Sequence, residues 1–421
     1  MQTKPGVVVP VTEDDTFSTR APIKVCMHVI QRTRTDARIL RDATALVEAG
    51  CTVTIVDVES DRTRPPEEDM AGIHVKHIFM PSLFVPARFK PWFLVKLLLV
   101  VMRGAMQLVK VQADIYHAHV EKALPACYIA TCLLRRPLIF DAPDLTLSDP
   151  TIMRRRTLRS LSARLLAHMV SRCAAVITAS PYYVSELRTL YRASDVTVVR
   201  NVPAYRAVSR NDRLRQRLGL GSEISIALYQ GGIQPNRCLD RLVSAAKFLA
   251  PNIVIVIMGE DQVPTRSQLE ALIASEQVAD RVKLLPPVPY TELLEWTASA
   301  DIGLTIFPPE YSLSIRFTLP NKLFEYLMAG LPVLSSQLDA VAEVIHTYDV
   351  GQVAPSLAPA DLGGAISAML NDKVALQRMG HNALQAAKKE FYWEKESQSL
   401  VGLYHTILMP SMEYKAAVLP N

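Results

Sequence analysis

Two charged residues three positions apart, Lys322 and Glu325, lie in the stretch PNKLFEYLMAGLPVLSS at 320–336. An ammonium can neutralise a phosphate, and a carboxylate can accept hydrogen bonds from the two hydroxyls of a ribose. Pro320 suits a first helical turn, Thr318 can cap nearby and Gly330 suits a left-handed stop, so the helix is short by construction. On it Leu323, Phe324, Leu327 and Met328 share one side, while Asn321, Lys322, Glu325 and Tyr326 share the side expected to turn away from the core. An exposed ion pair worth about 0.5 kcal/mol satisfies the same spacing. Location favours a ligand. The helix follows the apolar strand DIGLTIF, which places its start, with Leu319 and Asn321, at the carboxyl edge of a parallel sheet, where backbone N–H groups meet anions.

A second anion element is YQGGIQPNRCLD at 229–240. Gly231 and Gly232 let backbone approach a ligand, and Arg237 stands just before a helix, where its guanidinium can fork onto a diphosphate. An ordinary strand-to-helix loop has the same composition, but two such elements in one domain strengthen each other. In YHAHV, His117 and His119 are two apart at a strand end and point to one face. A core role suits His117, and His119 is better placed to face a cleft. No third Cys or carboxylate stands at matching spacing, so we assign no metal. Asp141 and Asp144, in FDAPDL, end the next strand and fit either a turn or a cleft role. The acidic triplets near residues 14 (EDD) and 68 (EED) read as solvated charge in loops.

These residues need elements to hold them. IKVCMHVI reads as a buried strand, and DARILRDATALVEAG follows as a helix capped by Asp36 and stopped by Gly50. CTVTIVDV is the next strand, making a right-handed crossover. The pattern continues through IHVKHIFM, ADIYHAHV, PLIFDAP, AAVITAS and VTVVRNVP with helices between. It starts afresh with SIALYQGG, IVIVIMGE, VKLLPPV and DIGLTIF. We therefore expect an α/β fold of two Rossmann-like doubly wound domains. The boundaries are a flexible 1–22, a first domain at 23–205, a second at 206–390, and a crossing helix with tail at 391–421 that packs back across both.

Composition narrows the classes. The chain has 421 residues, 49% hydrophobic, enough for two or three cores, and a net charge of +5 that does not suggest a nucleic-acid binder. Six scattered cysteines read as reduced thiols in a cytoplasmic protein, and the N-terminus lacks a secretory pattern. The run WFLVKLLLVVM at 92–102 is too short and too interrupted to span a bilayer and is expected to be a buried helix rather than one that lies on a membrane surface. Segment 151–173 carries Arg154, Arg155, Arg156, Arg159, Arg164 and Arg172 with no acid. It reads first as a solvated basic helix packing on the domain, with peripheral contact with anionic lipid at the inner face of a membrane as the alternative.

Taken together and in order, TDARILRDATALVEAG, DIYHAHVEKALPA, LIFDAPDL, LYQGGIQPNRCLD, LLPPVPYTELLEWTASADIGL, PNKLFEYLMAGLPVLSS and FYWEKE resemble the retaining glycosyltransferases of family 4, over roughly residues 23 to 408. The resemblance implies the GT-B fold and transfer of a sugar from a UDP- or GDP-sugar to a glycan, lipid-linked or small-molecule acceptor, with retention and without a metal or cofactor. It casts Glu325 as the ribose ligand, Arg237 as a diphosphate contact, Tyr290 as the place where backbone meets the base, and His119 as the histidine near the reacting sugar. Arg237, Lys322 and His119 are then the expected catalytic set, with Asp141 and Asp144 on the acceptor side. Phe317 stands where the family often has a glutamate, and Gly232 where an arginine often precedes the lysine. A nucleotide-sugar epimerase on this fold, or an inactive sugar-nucleotide binder, are the alternatives.

Overall fold

A computed structural model describes residues 22–80, 90–148, 150, 156–261 and 264–408. The expected flexible N-terminus, the EDD triplet near residue 14 and the tail beyond 408 lie outside them, as do Arg154 and Arg155. The first sheet comprises β1 Lys24–His28, β2 Thr52–Glu59, β3 Glu67–Met70, β4 Ile73–Phe79, β5 Ile115–His119, β6 Leu138–Ala142, β7 Ala175–Thr178 and β8 Val196–Val198. Its order is β3-β4-β2-β1-β5-β6-β7-β8, parallel throughout except for β3 against β4. The second comprises β9 Ser225–Gln230, β10 Ile253–Met258, β11 Val282–Leu285, β12 Ile302–Thr305, β13 Val333–Ser335 and β14 Gly351–Val353, all parallel, in the order β11-β10-β9-β12-β13-β14. Both are doubly wound. Each reverses direction once, between β1 and β5 and between β9 and β12, and a crevice opens there at the carboxyl ends of the strands.

Sequence chemistry accounts for the elements. IVIVIM of β10 is buried along its whole length, as a strand covered on both faces must be. The Asp36 carboxylate accepts from the Arg38 and Ile39 amides at 3.0 and 3.3 Å, starting helix Ala37–Glu48, and Gly50 at φ 83° lets the chain turn away. Helix Trp393–Leu408 does cross back. Its Tyr404 hydroxyl meets His117 Nδ1 at 2.6 Å, Arg200 reaches Glu396 at 2.6 Å and Glu390 at 2.7 Å, and Phe391, just ahead of it, packs on Phe324.

Several expectations are corrected. The EED triplet is β3, an edge strand whose Glu67 meets Lys76 and His74 of β4, because cross-strand charge pairs stabilise an exposed edge. The run at 92–102 sits in helix Lys90–Val111, which is buried on one face only: Val100 and Leu108 are in the core, while Val95, Leu98, Leu99, Met102 and Met106 are exposed. Cys132 is an exposed thiol. Pro320 is the cap itself rather than a helical residue, and no side chain caps helix Asn321–Met328. Beyond residue 336 the sequence reading assigned no element before the terminal helix. The structure has helices Asp339–Tyr348, Pro359–Asn371 and Lys373–Lys389 there, with β14 among them.

The largest correction concerns Tyr326. It is fully buried under the second sheet, where its O–H donates to Leu228 O at 3.0 Å and accepts from the Gln230 amide at 3.0 Å. Gly303 makes room: a Cβ there would stand 2.3 Å from the Tyr326 ring. Gly303→Ala should therefore lower the unfolding free energy by about 1–3 kcal/mol through overpacking. Tyr326→Phe should lose a similar amount by leaving the Gln230 amide without its acceptor. Urea midpoints of the two variants check both.

Candidate active site between the two sheets

The two crevices face each other. From the first sheet come His119 at the end of β5 and Asp141 in β6, directly paired in register. From the second come Gly231 and Gly232 after β9, Arg237, and helix Asn321–Met328. Gly231 has φ 131°, a backbone conformation that only glycine adopts without strain, and its position lies beside Lys322 Nζ. The Lys322 ammonium sits 3.6 Å over the Tyr229 ring and 5.1 Å from that of Phe307, and the Arg237 guanidinium lies 4.8 Å over the same Phe307 ring. Two cations thus converge on one aromatic platform.

Lys322 does not turn to solvent as expected; it is only 9% exposed. Its aliphatic stem is buried and its head reaches the sheet edge. Burial, reinforced by Arg237 and opposed by Glu325, pushes the ammonium well below its ordinary pKa. Glu325 is half-buried. Its Oε2 accepts from Gln230 Nε2, and Gln230 Oε1 accepts from Thr297 Oγ1 at 2.7 Å. That chain aims the carboxylate. Burial raises the pKa of Glu325, while Gln230, Lys322 and Arg41 pull it down.

Two cavities flank these groups. One, of about 330 Å³, is lined by Pro203, Tyr205, Arg206, Tyr290, Leu293 and Glu325 among others, and Tyr290 is 61% exposed at the start of its helix. The other, of about 340 Å³, is lined by Asp144 and Thr146 from the first half and by Arg237, Phe307, Ser312 and Thr318 from the second. Ser314 bridges the halves beside it: its hydroxyl accepts from Leu145 N at 3.2 Å, its amide donates to Ser148 Oγ at 3.1 Å, and its carbonyl accepts from Tyr183 O–H at 2.7 Å. Phe317 turns toward the first half, its ring centre 5.5 Å from that of Tyr182. Asn321 is exposed, and Leu319 lies in the core, so only its backbone can face a ligand.

The first half holds a buried charge cluster that spacing alone did not reveal. Arg38 forks onto both oxygens of Asp141 at 2.7 and 2.9 Å, and His119 Nδ1 is 3.2 Å from Asp141 Oδ2. Burial alone would raise Asp141, but the Arg38 charge and hydrogen bonds from His119 and Arg38 hold it well below the usual carboxylate range. The rings of His117 and His119 stack at 4.1 Å, and with Asp141 their ligand atoms lie within 4.8 Å of one another. The third ligand absent from local spacing, a carboxylate, is thus supplied across the sheet. Its oxygens are committed to Arg38 and His117 Nδ1 to Tyr404, which leaves Nε2 of His117 and of His119 as the unpartnered donors of the group.

His119 Nε2 has no partner, and Val120 after it adopts φ 59°, an outlier for a β-branched residue. The sequence reading also missed Arg41. Two of its nitrogens are buried without a partner, its guanidinium is 5.7 Å from the Trp393 ring, and its charge bears on Tyr290 and Glu325 across the cleft. The repeat of arginine at 38 and 41 on one helix, a single turn apart, was the available signal.

Two family models match the chain. The one described as Glycosyltransferase Family 4 covers residues 38–202, and the one described as Glycosyl transferases group 1 covers residues 210–386. Among curated proteins, a D-inositol 3-phosphate glycosyltransferase of Streptomyces bingchenggensis is 25% identical over 48% of this chain and 45% of its own length. One from Nocardia farcinica is 28% identical over 46% of this chain and 43% of its own. The chain thus spans about half the length of the curated relatives it matches. Among solved structures, sucrose-phosphate synthase from Thermosynechococcus elongatus covers 92% of this chain and 100% of that one with a TM-score of 0.74 at 16% identity. Anabaena HepE in complex with UDP-glucose covers 91% and 100% with a TM-score of 0.69 at 17% identity. These likenesses establish the GT-B fold.

Asp42 gives the cluster a measurable signature. It is fully buried with both oxygens unpartnered, and burial, opposed by Arg38 and His119, raises its pKa from 3.8 to about 6. The unfolded chain releases this proton first, so the group costs stability as pH rises from 3.8 through about 6 and costs nothing below. Asp42→Asn should stabilise by about 1–2 kcal/mol near pH 8 and leave stability unchanged near pH 4, as read by urea unfolding at both.

Proposed function

Because the chain belongs to the two-domain glycosyltransferases of the family 4 type, we propose that it moves a sugar from a UDP- or GDP-sugar to a glycan, lipid-linked or small-molecule acceptor. In this reading anomeric configuration is retained and no metal is required. The observation that carries it is the convergence of Lys322 and Arg237 on Phe307 beside Glu325, with a cavity on either side. The cavity at Tyr290 suits a base, Glu325 suits the two ribose hydroxyls, and the two cations suit a diphosphate. The cavity at Asp144 then receives the sugar and, from the first half, the acceptor. Relatives named for inositol phosphate glycosylation and a fold neighbour bound to UDP-glucose favour this class of donor and acceptor.

In the reaction the bond from the anomeric carbon to the diphosphate oxygen breaks and a bond to the acceptor oxygen forms on the same face. The acceptor proton goes to the departing phosphate. The negative charge that develops on the leaving group is the largest quantity to stabilise, and preorganised cations at the sheet edge do so without reorganisation. In this reading His119, buried and oriented by Asp141, acts on the sugar's side of the cleft, and Arg41 adds a third cation on the ribose side. Phe317 cannot hydrogen-bond a sugar as a glutamate would, and Asp144 is the carboxylate closest in role.

A panel of UDP-, GDP-, ADP- and CMP-sugars should raise the melting temperature with the matching base only. Glu325→Ala should weaken that donor by about 10–100-fold, and Arg237→Ala should cut kcat by about 100-fold or more. Product NMR from donor plus acceptor reads the anomeric configuration. An epimerised donor in the absence of acceptor would instead support the epimerase alternative, and binding without turnover the inactive binder.

Lys322 adds a pH signature. Burial disfavours the charged form of Lys322 in the free protein, and a bound diphosphate would favour it. Affinity for UDP should therefore fall as pH rises above the free-protein pKa, and calorimetry in buffers of different ionisation heat should detect proton uptake that Lys322→Met abolishes.

A further inference from the structure

Away from the cleft, one face of the first half stands out. Helices Lys90–Val111, Val120–Leu134 and Arg156–Val170 form one layer on the first sheet, with Gly104 of the first helix against Ala126 of the second. The sides turned from the sheet are apolar: Val95, Leu98, Leu99, Met102 and Met106, then Leu133, then Leu161 and Leu165. Leu98 and Leu133 are 62% and 70% exposed. On the first helix the five apolar positions fall in a stripe about 100° wide, and Lys96, Arg103 and Lys110 line one flank of it.

The charge on this layer has one sign. Segments 90–111 and 151–173 contain no acidic residue, and Glu121, the one acid in 120–134, is turned inward to Thr146 and Tyr191. Beside Leu161 and Leu165 a cavity of about 540 Å³ is lined by Arg164, Arg172 and Arg192 with His168 and Thr189. Apolar side chains flanked by lysine and arginine, with an arginine-lined recess at their edge, match the boundary between acyl chains and phosphate headgroups. A second copy of the chain is a poor occupant, because a two-fold contact would set these cations against themselves.

We propose that the outer face of this three-helix layer seats the protein on an anionic phospholipid bilayer, apolar side chains in the interface and arginines on the headgroup phosphates. Among the described residues no helix is long and apolar enough to cross a membrane, so the contact is peripheral. Helix Val120–Leu134 starts at His119, and residues 144–148 of the cleft precede the third helix, so the face borders the active-site crevice. An acceptor anchored in the bilayer would meet the cleft there, a corollary that rests on the transferase reading. The docking itself does not rest on it.

The test is sedimentation of the full chain with phosphatidylcholine vesicles, with and without phosphatidylglycerol, at low and high salt. Phosphatidylglycerol should raise the bound fraction and salt should lower it. Leu98→Glu with Met102→Glu, and separately Arg164→Glu with Arg172→Glu, should each reduce binding about tenfold or more while the melting temperature and the donor-induced shift stay at parental values. Binding indifferent to phosphatidylglycerol, or variants that sediment like the parent, would overturn the proposal. So would light scattering that finds a dimer dissolved by the Leu98/Met102 variant. Loss of the donor-induced shift in the parent, with sedimentation intact, would instead count against the transferase reading alone.

Discussion

The active-site geometry depends on one short helix being held at one depth. Tyr326 ties helix Asn321–Met328 to β9 through a single hydroxyl that both donates to Leu228 and accepts from Gln230, over the space that Gly303 leaves. Eight residues are too few to be stable alone, so tertiary anchoring sets the position. With Tyr326 fixed, Lys322 is one turn back over Tyr229, and Glu325 meets the side chain of the same Gln230 whose amide binds the hydroxyl. Glu325, Lys322 and the sheet edge are thereby held as one unit.

The two halves solve the problem of buried charge differently. In the second half the cations are held beside aromatic faces next to cavities that open at the sheet edge, where an anion can reach them. In the first half Arg38, Asp141 and His119 satisfy one another, which fixes the imidazole. Asp42 and Arg41, each with unpartnered buried atoms, are the unbalanced remainder. Groups of that kind cost stability and persist where function uses them.

The first half also presents two surfaces at right angles in purpose. The carboxyl edge of its sheet faces the cleft, while the helices on one side carry apolar and cationic groups outward. Those helices satisfy the core with Val100, Leu108, Leu124 and Leu166, and still have hydrophobic positions left over. A helix apolar nearly all round needs cover on both sides, and the sheet provides only one.

Alternating apolar strands and capped helices determined the doubly wound halves, because period and turn chemistry are local properties. The same locality exposed Gly231 and Arg237, in the loop that follows β9, and Lys322 and Glu325, three apart on one short helix. Other features needed the tertiary fold. Asp141 reaches His119 through strand register, Arg38 reaches Asp141 across 103 positions of chain, and Gln230 reaches Glu325 across 95. Nor could helical periodicity tell that Tyr326 is buried and Leu98 exposed, since which face of a helix is covered depends on what packs against it, and that is decided only when distant segments meet.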